Sequence, residues 1–140
     1  MEVKKARRRM FALTLDDGLM ASLKLVDYAN EHGYTVALFI VPLWCYVGKH
    51  PHWKTDVADW ATLRQLQAKG NEVYSHTLTH MDMYHEGQYY FREQVAYESR
   101  YSRLLIKREL GVDPSIVAVP YGHCSQVAHE ILAADYRWVM

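Results

Sequence analysis

A chain of 140 residues, 50% hydrophobic and 23% charged, has the length of one domain and buries roughly two thirds of its unfolded surface. That composition excludes an intrinsically disordered chain, because enough apolar surface is available to offset the ordering entropy. With 16 Lys and Arg against 16 Asp and Glu there is no basic excess, so nucleic acid is not an expected partner.

The N-terminal run Lys4-Lys5-Ala6-Arg7-Arg8-Arg9 reads as a solvated basic segment. Met10 to Leu15 behind it is too short, and too soon followed by Asp16 and Asp17, for a signal-peptide core; a cytoplasmic location is expected. The longest apolar run, Val36 to Val47, is interrupted by Pro42 and falls short of the ~20 residues that cross a bilayer, so no membrane association is expected. Cys45 and Cys124 belong to no CxxC pair and read as free thiols.

Met10 to Leu15 predicts a buried strand that ends in the turn Asp16-Asp17-Gly18. Leu19 to His32 predicts a helix, with Leu23, Val26, Tyr28 and Ala29 at helical spacing and Gly33 as its stop. Tyr34 to Val41 is the second buried strand, closed by Pro42. Residues 42–58, with Trp44, Tyr46, Pro51 and Trp53, read as an irregular aromatic loop. His50 and His52 with Cys45 match no standard metal spacing and are assigned to that loop. Asp59 is placed to cap a helix running to Lys69, with Trp60, Leu63 and Leu66 on one side. Asn71 to Ser75 is the third strand. Gln88 to Leu110 is a long helix, with Arg92, Glu93, Arg100, Arg103, Lys107 and Arg108 as its exposed face. Ser115 to Val119 is the fourth strand, Ser125 caps a helix to Ala134, and Tyr136 to Met140 begins a fifth strand. Buried strands alternating with helices predict one α/β domain over residues 1–140 with a mostly parallel sheet.

Ligands in such sheets bind outside the carboxyl ends of the strands. Three polar clusters fall there: Asp16-Asp17-Gly18, His76 with His80, and Pro120-Tyr121-Gly122. If residues 76–80 make a helical turn, both imidazoles face one way. Two histidines and Asp17 supply three ligands and leave a position open, the pattern of a catalytic metal, zinc above all. Adjacent aspartates point differently, so one can bind the metal while the other takes a proton. Asp-Asp-Gly alone is an ordinary turn, and His-x-x-x-His alone is common by chance; their meeting at one sheet edge makes the site.

Thr14-Leu15-Asp16-Asp17-Gly18, His76-Thr77-Leu78-Thr79-His80 and Val119-Pro120-Tyr121-Gly122 resemble, in order and strand position, three motifs of the polysaccharide deacetylases, the NodB-homology fold of carbohydrate esterase family 4. The resemblance runs from Met10 to about Met140. It implies a parallel sheet or incomplete (β/α) barrel, Asp16 as catalytic base, and Asp17, His76 and His80 as ligands of a divalent metal. Zinc is the first choice, with cobalt, nickel or manganese as alternatives. It further implies that the Tyr121 backbone N–H helps hold the oxyanion, beside Pro120, and that the reaction removes N-acetyl groups from amino sugars of an oligo- or polysaccharide. Trp44 and Trp53, on the aromatic loop, are candidate platforms for sugar rings.

Leu15 replaces the family's usual phenylalanine, a packing change. Ala118 stands where the family usually has an arginine that orients the catalytic aspartate. The family's general-acid histidine and its supporting aspartate belong to motifs past the fifth strand, so a domain shortened at its C-terminus is expected here. Loss of that acid costs roughly two to four orders of magnitude in rate. His123 is the spare imidazole nearest the Pro-Tyr-Gly turn, and His129 lies on the following helix. An incomplete sheet leaves an edge open, which predicts a homo-oligomer or a covering partner. Two other functions compete with deacetylation: a catalytically impaired metal-binding module for carbohydrate or a protein partner, and hydrolysis of another non-peptide C–N amide bond.

Overall fold

The computed structural model describes residues 11–84 and 90–140; the basic run Lys4 to Arg9, the Met10 start of the first strand and the Gln88 start of the long helix lie outside them. Apolar strands and amphipathic helices alternate as β1 (Leu13–Leu15), α1 (Leu23–Glu31), β2 (Val36–Ile40), α2 (Pro42–Val47), α3 (Trp60–Ala68), β3 (Glu72–Ser75), α4 (Phe91–Leu110), β4 (Ile116–Val117), α5 (Gln126–Asp135) and β5 (Trp138–Val139). Every strand pair is parallel and the order is β1-β2-β3-β4-β5. An order without reversal lets the strand twist accumulate in one direction, so the sheet curls into a half-barrel flanked by helices. Registers such as Leu15 with Leu38, Ile40 with Ser75 and Ser75 with Val117 bring the strand ends to one rim.

The helices bury one face each against the sheet. Val26, Ile40, Leu63 and Ile106 are fully buried in a first core cluster, and Val95, Val117, Ala128 and Leu132 in a second. Each such aliphatic residue other than alanine contributes about 1.5–3 kcal/mol on burial. The expected caps form: Asp59 Oδ1 accepts from the Thr62 N–H at 2.7 Å, and Ser125 Oγ from the Ala128 N–H at 3.1 Å. Among the described residues, no helix is long and apolar enough to cross a membrane.

Several sequence expectations are corrected. Residues 42–58 are not all irregular, because Pro42 opens α2 at its first position and Gly48, with φ 70°, closes it. β1 is exposed rather than buried, since it is an edge strand paired only with β2. Tyr28 is 63% exposed: two residues from Val26 is about half a turn around the helix, so it leaves the buried face. Arg103 is no free surface charge, as it donates to Asp113 and to the Asp135 carbonyl and ties α4 to the end of α5.

Cys45 is 2% exposed, and burial pushes its thiol up to about 12. Cys124 is half-buried, and burial raises its thiol as well. A thiol reagent at about pH 8 is therefore expected to titrate Cys124 slowly in the native protein and Cys45 only after denaturation. Native labelling that survives Cys124→Ser would contradict this assignment.

Candidate active site

Three strand ends deliver the polar residues. After β1, the Gly18 N–H donates to the Asp16 carbonyl at 2.8 Å across Asp17, whose φ is 68°. Gly18 itself sits at φ 70°, and a Cβ there would lie 3.4 Å from Ile40 Cγ2, so the turn favours glycine on both counts. After β3, the His76 N–H continues the ladder to the Ile40 carbonyl at 2.8 Å. Residues 76–80 do not form a helical turn; Thr77 and His80 adopt φ of 65° and 67°, and these left-handed steps turn both imidazoles toward Asp17. After β4 comes the turn Pro120–Gly122, with Tyr121 at φ 61°. Four of the six non-glycine residues with positive φ in the described chain thus fall in these three loops. Such clustering of backbone strain is characteristic of functional sites.

Asp17 Oδ1 lies 3.5 Å from His76 Nε2 and 3.4 Å from His80 Nε2. The oxygen is buried and has no hydrogen-bond partner among the described residues. His76 Nδ1 is 2.8 Å from the Ala118 carbonyl, which only accepts, so Nδ1 carries a proton and Nε2 is the ring nitrogen turned toward Asp17. Burial, and then repulsion from His76, hold His80 below the ordinary histidine value despite the opposing pull of Asp17. Three potential ligand atoms thus converge without a hydrogen bond between them, an arrangement that a cation placed among them would satisfy. The donor set of two imidazoles and one carboxylate, all within 4.8 Å of one another, is one that could hold a divalent metal ion.

A cavity of about 470 Å³ opens over this group, with Thr14, Asp16 and Phe39 on its wall and Trp53, Tyr121 and Met140 around it. Asp16 is exposed to the cavity, and the Tyr121 ring sits 4.8 Å from that of His80. Trp53, 64% exposed, reaches the cavity; Trp44 does not. Trp44 is 7% exposed because α2 turns it inward, where it stacks on His80 at 5.2 Å and meets His50 edge-on at 4.3 Å. Pro120 is buried and shapes the turn without lining the cavity. His50 is engaged by the loop: its Nδ1 accepts from the His52 and Trp53 N–H groups, and its ring stacks on Trp53 at 4.1 Å. His123 pairs with Asp82 at 3.4 Å and does not line the cavity, while His129 is exposed on α5. Glu98, missed in the sequence reading, reaches from α4 to the loop between the histidines. Its signal is a polar step, Glu98-Ser99 and then Ser102, in the otherwise apolar buried stripe Val95 to Ile106.

A family model described as polysaccharide deacetylase matches residues 3–137. A search of curated proteins finds no match. Among solved structures, IcaB from Ammonifex degensii superposes with a TM-score of 0.78 at 18% identity, over 89% of this chain and 56% of its own. A de-N-acetylase from Aggregatibacter actinomycetemcomitans gives 0.75 at 18% identity, over 89% and 60%. A CE4 family pseudoenzyme from Bacillus anthracis gives 0.75 at 14% identity, over 96% and 43%. The chain therefore spans little more than half the length of the first two.

The Gly18 turn can be tested apart from chemistry. Gly18→Ala is expected to lower the unfolding free energy by about 1–2 kcal/mol, since it meets both a strained φ and the Ile40 side chain. Denaturant melts check it, and an unchanged midpoint would show that the turn adapts.

Proposed function

The chain belongs to the polysaccharide deacetylase family, and on that premise we propose that it hydrolyses N-acetyl groups on the amino sugars of a polysaccharide. Asp17, His76 and His80 would hold one divalent metal ion, zinc first among the candidates. The observation that carries this reading is the buried, unpartnered Asp17 Oδ1 between the two Nε2 atoms. When bound, the ion supplies Lewis acidity, polarising the acetyl carbonyl and making water more acidic.

The remaining steps fall to the chain's own residues. Asp16, exposed on the cavity wall and outside the ligand set, accepts the proton of the attacking water as its oxygen bonds to the acetyl carbon. The Tyr121 backbone N–H donates to the oxyanion, a contribution of roughly 3 kcal/mol in measured cases. As the C–N bond breaks, the departing amine takes a proton. Asp17, His76 and His80 being committed, Asp16 is the remaining cavity-lining carboxylate among the described residues that can return it. Trp53 offers a flat apolar face to a pyranose ring. Among the described residues β1 and β5 are the outer strands of the sheet, where a second copy or another partner could pair within this reading.

A second reading is a domain that holds metal and binds acetylated glycan without turnover. Ala118, standing where the family usually has an aspartate-orienting arginine, favours it, as does a cavity that among the described residues is lined by no imidazole outside the ligand set. A similar fold described as a pseudoenzyme gives it precedent.

Zinc titration of the apo-protein is expected to saturate at one ion per chain, with binding lost in His80→Ala; a chain that binds no zinc at micromolar concentration refutes the metal centre. Acetate release from N-acetylglucosamine oligomers by zinc- or cobalt-loaded protein separates the two readings. Turnover reduced by about 10²–10⁴ in Asp16→Asn identifies an enzyme with Asp16 as its base. Saturable sugar binding without acetate release by folded, metal-loaded protein identifies the binding module.

A further inference from the structure

We infer that Glu98 is the positioning residue of the metal centre: its buried carboxylate fixes the loop between His76 and His80 in the shape that presents both imidazoles to Asp17. This rests on the metal reading of Asp17, His76 and His80 and assigns a role to a residue outside the sequence motifs. Glu98 is 5% exposed, in the middle of α4. Its Oε2 accepts from the Leu78 N–H at 2.8 Å and the Thr79 N–H at 2.9 Å, and its Oε1 from the Thr79 hydroxyl at 2.6 Å. All three donors lie between the two histidines.

The loop requires such a clamp. Thr77 is β-branched, fully buried and at φ 65°, and His80 is at φ 67°. A left-handed conformation is a genuine outlier for a β-branched residue, and such strain persists only where the surroundings over-determine it. Here α4 supplies two holds one helical turn apart. Glu98 takes the loop's outer N–H groups. Ser102 Oγ bonds Ser75 Oγ at 2.6 Å, and Ser75 Oγ in turn accepts from the Thr77 N–H at 3.1 Å. From the other side, the Leu43 N–H of α2 donates to the Leu78 carbonyl at 3.3 Å.

A carboxylate in this place also does what a neutral group would not. Burying an unpaired charge is costly, and three charge-assisted hydrogen bonds offset that cost only while the loop keeps this shape. The loop conformation and the Glu98 position are therefore coupled. Removing the carboxylate frees the Leu78 and Thr79 N–H groups in a buried setting and lets His80 swing from its place beside Asp17.

The test measures zinc affinity by competition with a chromophoric chelator, at a temperature where far-UV circular dichroism shows each variant folded. Glu98→Ala is expected to weaken zinc binding about 10–100-fold and to change the visible spectrum of the cobalt form. Glu98→Gln, whose one acceptor oxygen can still take the Leu78 and Thr79 N–H groups but without the charge, is expected to bind zinc more tightly than Glu98→Ala and less tightly than wild type. Ser99→Ala is the control, because it breaks the Ser99–Asp135 hydrogen bond on the same helix without touching the loop, and it is expected to lower stability and leave zinc affinity intact. If Glu98→Ala does not fold, Thr79→Val, which removes one donor, is expected to weaken zinc about 3–10-fold; unchanged affinity overturns the inference. Wild-type affinity in Glu98→Ala, with binding lost in His80→Ala, overturns the Glu98 role alone. A wild-type chain that binds no zinc overturns the metal reading and the inference with it.

Discussion

The approach of Asp17 Oδ1 to the Nε2 atoms of His76 and His80 is the constraint around which the rest of the rim is built. It brings together a carboxylate from the end of β1 and two imidazoles from the end of β3, with β2 between them in the sheet. Parallel pairing in register puts both strand ends on one rim, and β2 sets the spacing. Ile40, at the end of β2, accepts from the His76 N–H and packs beneath Gly18, so one residue locates both halves of the constellation. A disturbance at Ile40 moves Asp17 and His76 together, which is why the turn at Gly18 has so little room to vary.

The site is also where the backbone departs furthest from its easy conformations. Asp17, Thr77, His80 and Tyr121 all have positive φ, and none is glycine. Each costs of order 1 kcal/mol or more, so the opposing interactions must be local and strong. They are: the Gly18 N–H closing on Asp16, the Ser75 and Glu98 side chains holding the His76–His80 loop, and the Ala118 carbonyl locking the His76 ring. His76 is oriented here by a backbone carbonyl. The small Ala118 side chain meanwhile leaves room on the cavity wall.

Alternation of strand and helix was readable because most strand residues are apolar, Thr14 of β1 and Glu72 and Ser75 of β3 apart, and helices carry caps at Asp59 and Ser125 that the backbone uses. The three rim clusters were readable because motif order follows strand order. Other features depend on what the chain packs against. Pro42 looks like an end in sequence and is a helix start in space, since a first-turn position needs no N–H. Trp44 reads as a loop aromatic free to stack a sugar, yet one turn of α2 carries it behind His80. Glu98 was legible only as a polar step in the stripe of α4, for a related reason. A charged residue within a helix rich in Arg and Lys reads as solvated, and only the position of the neighbouring loop, 20 residues earlier in the chain, makes it a buried acceptor.

The half-barrel sets what surrounds the centre. Its five described strands bring their ends to one rim between β1 and β5. Met140 closes part of the β5 side, through the Val119 N–H to its carbonyl and its own N–H to Val117, and its side chain lines the cavity. Trp53 and Tyr121 stand exposed on the wall with Asp16 between strand end and solvent. Approach to Asp17 and its histidines is thus bordered by exposed aromatic faces with Asp16 on the same wall, so a group that reaches the centre meets flat apolar surface before it meets the carboxylates.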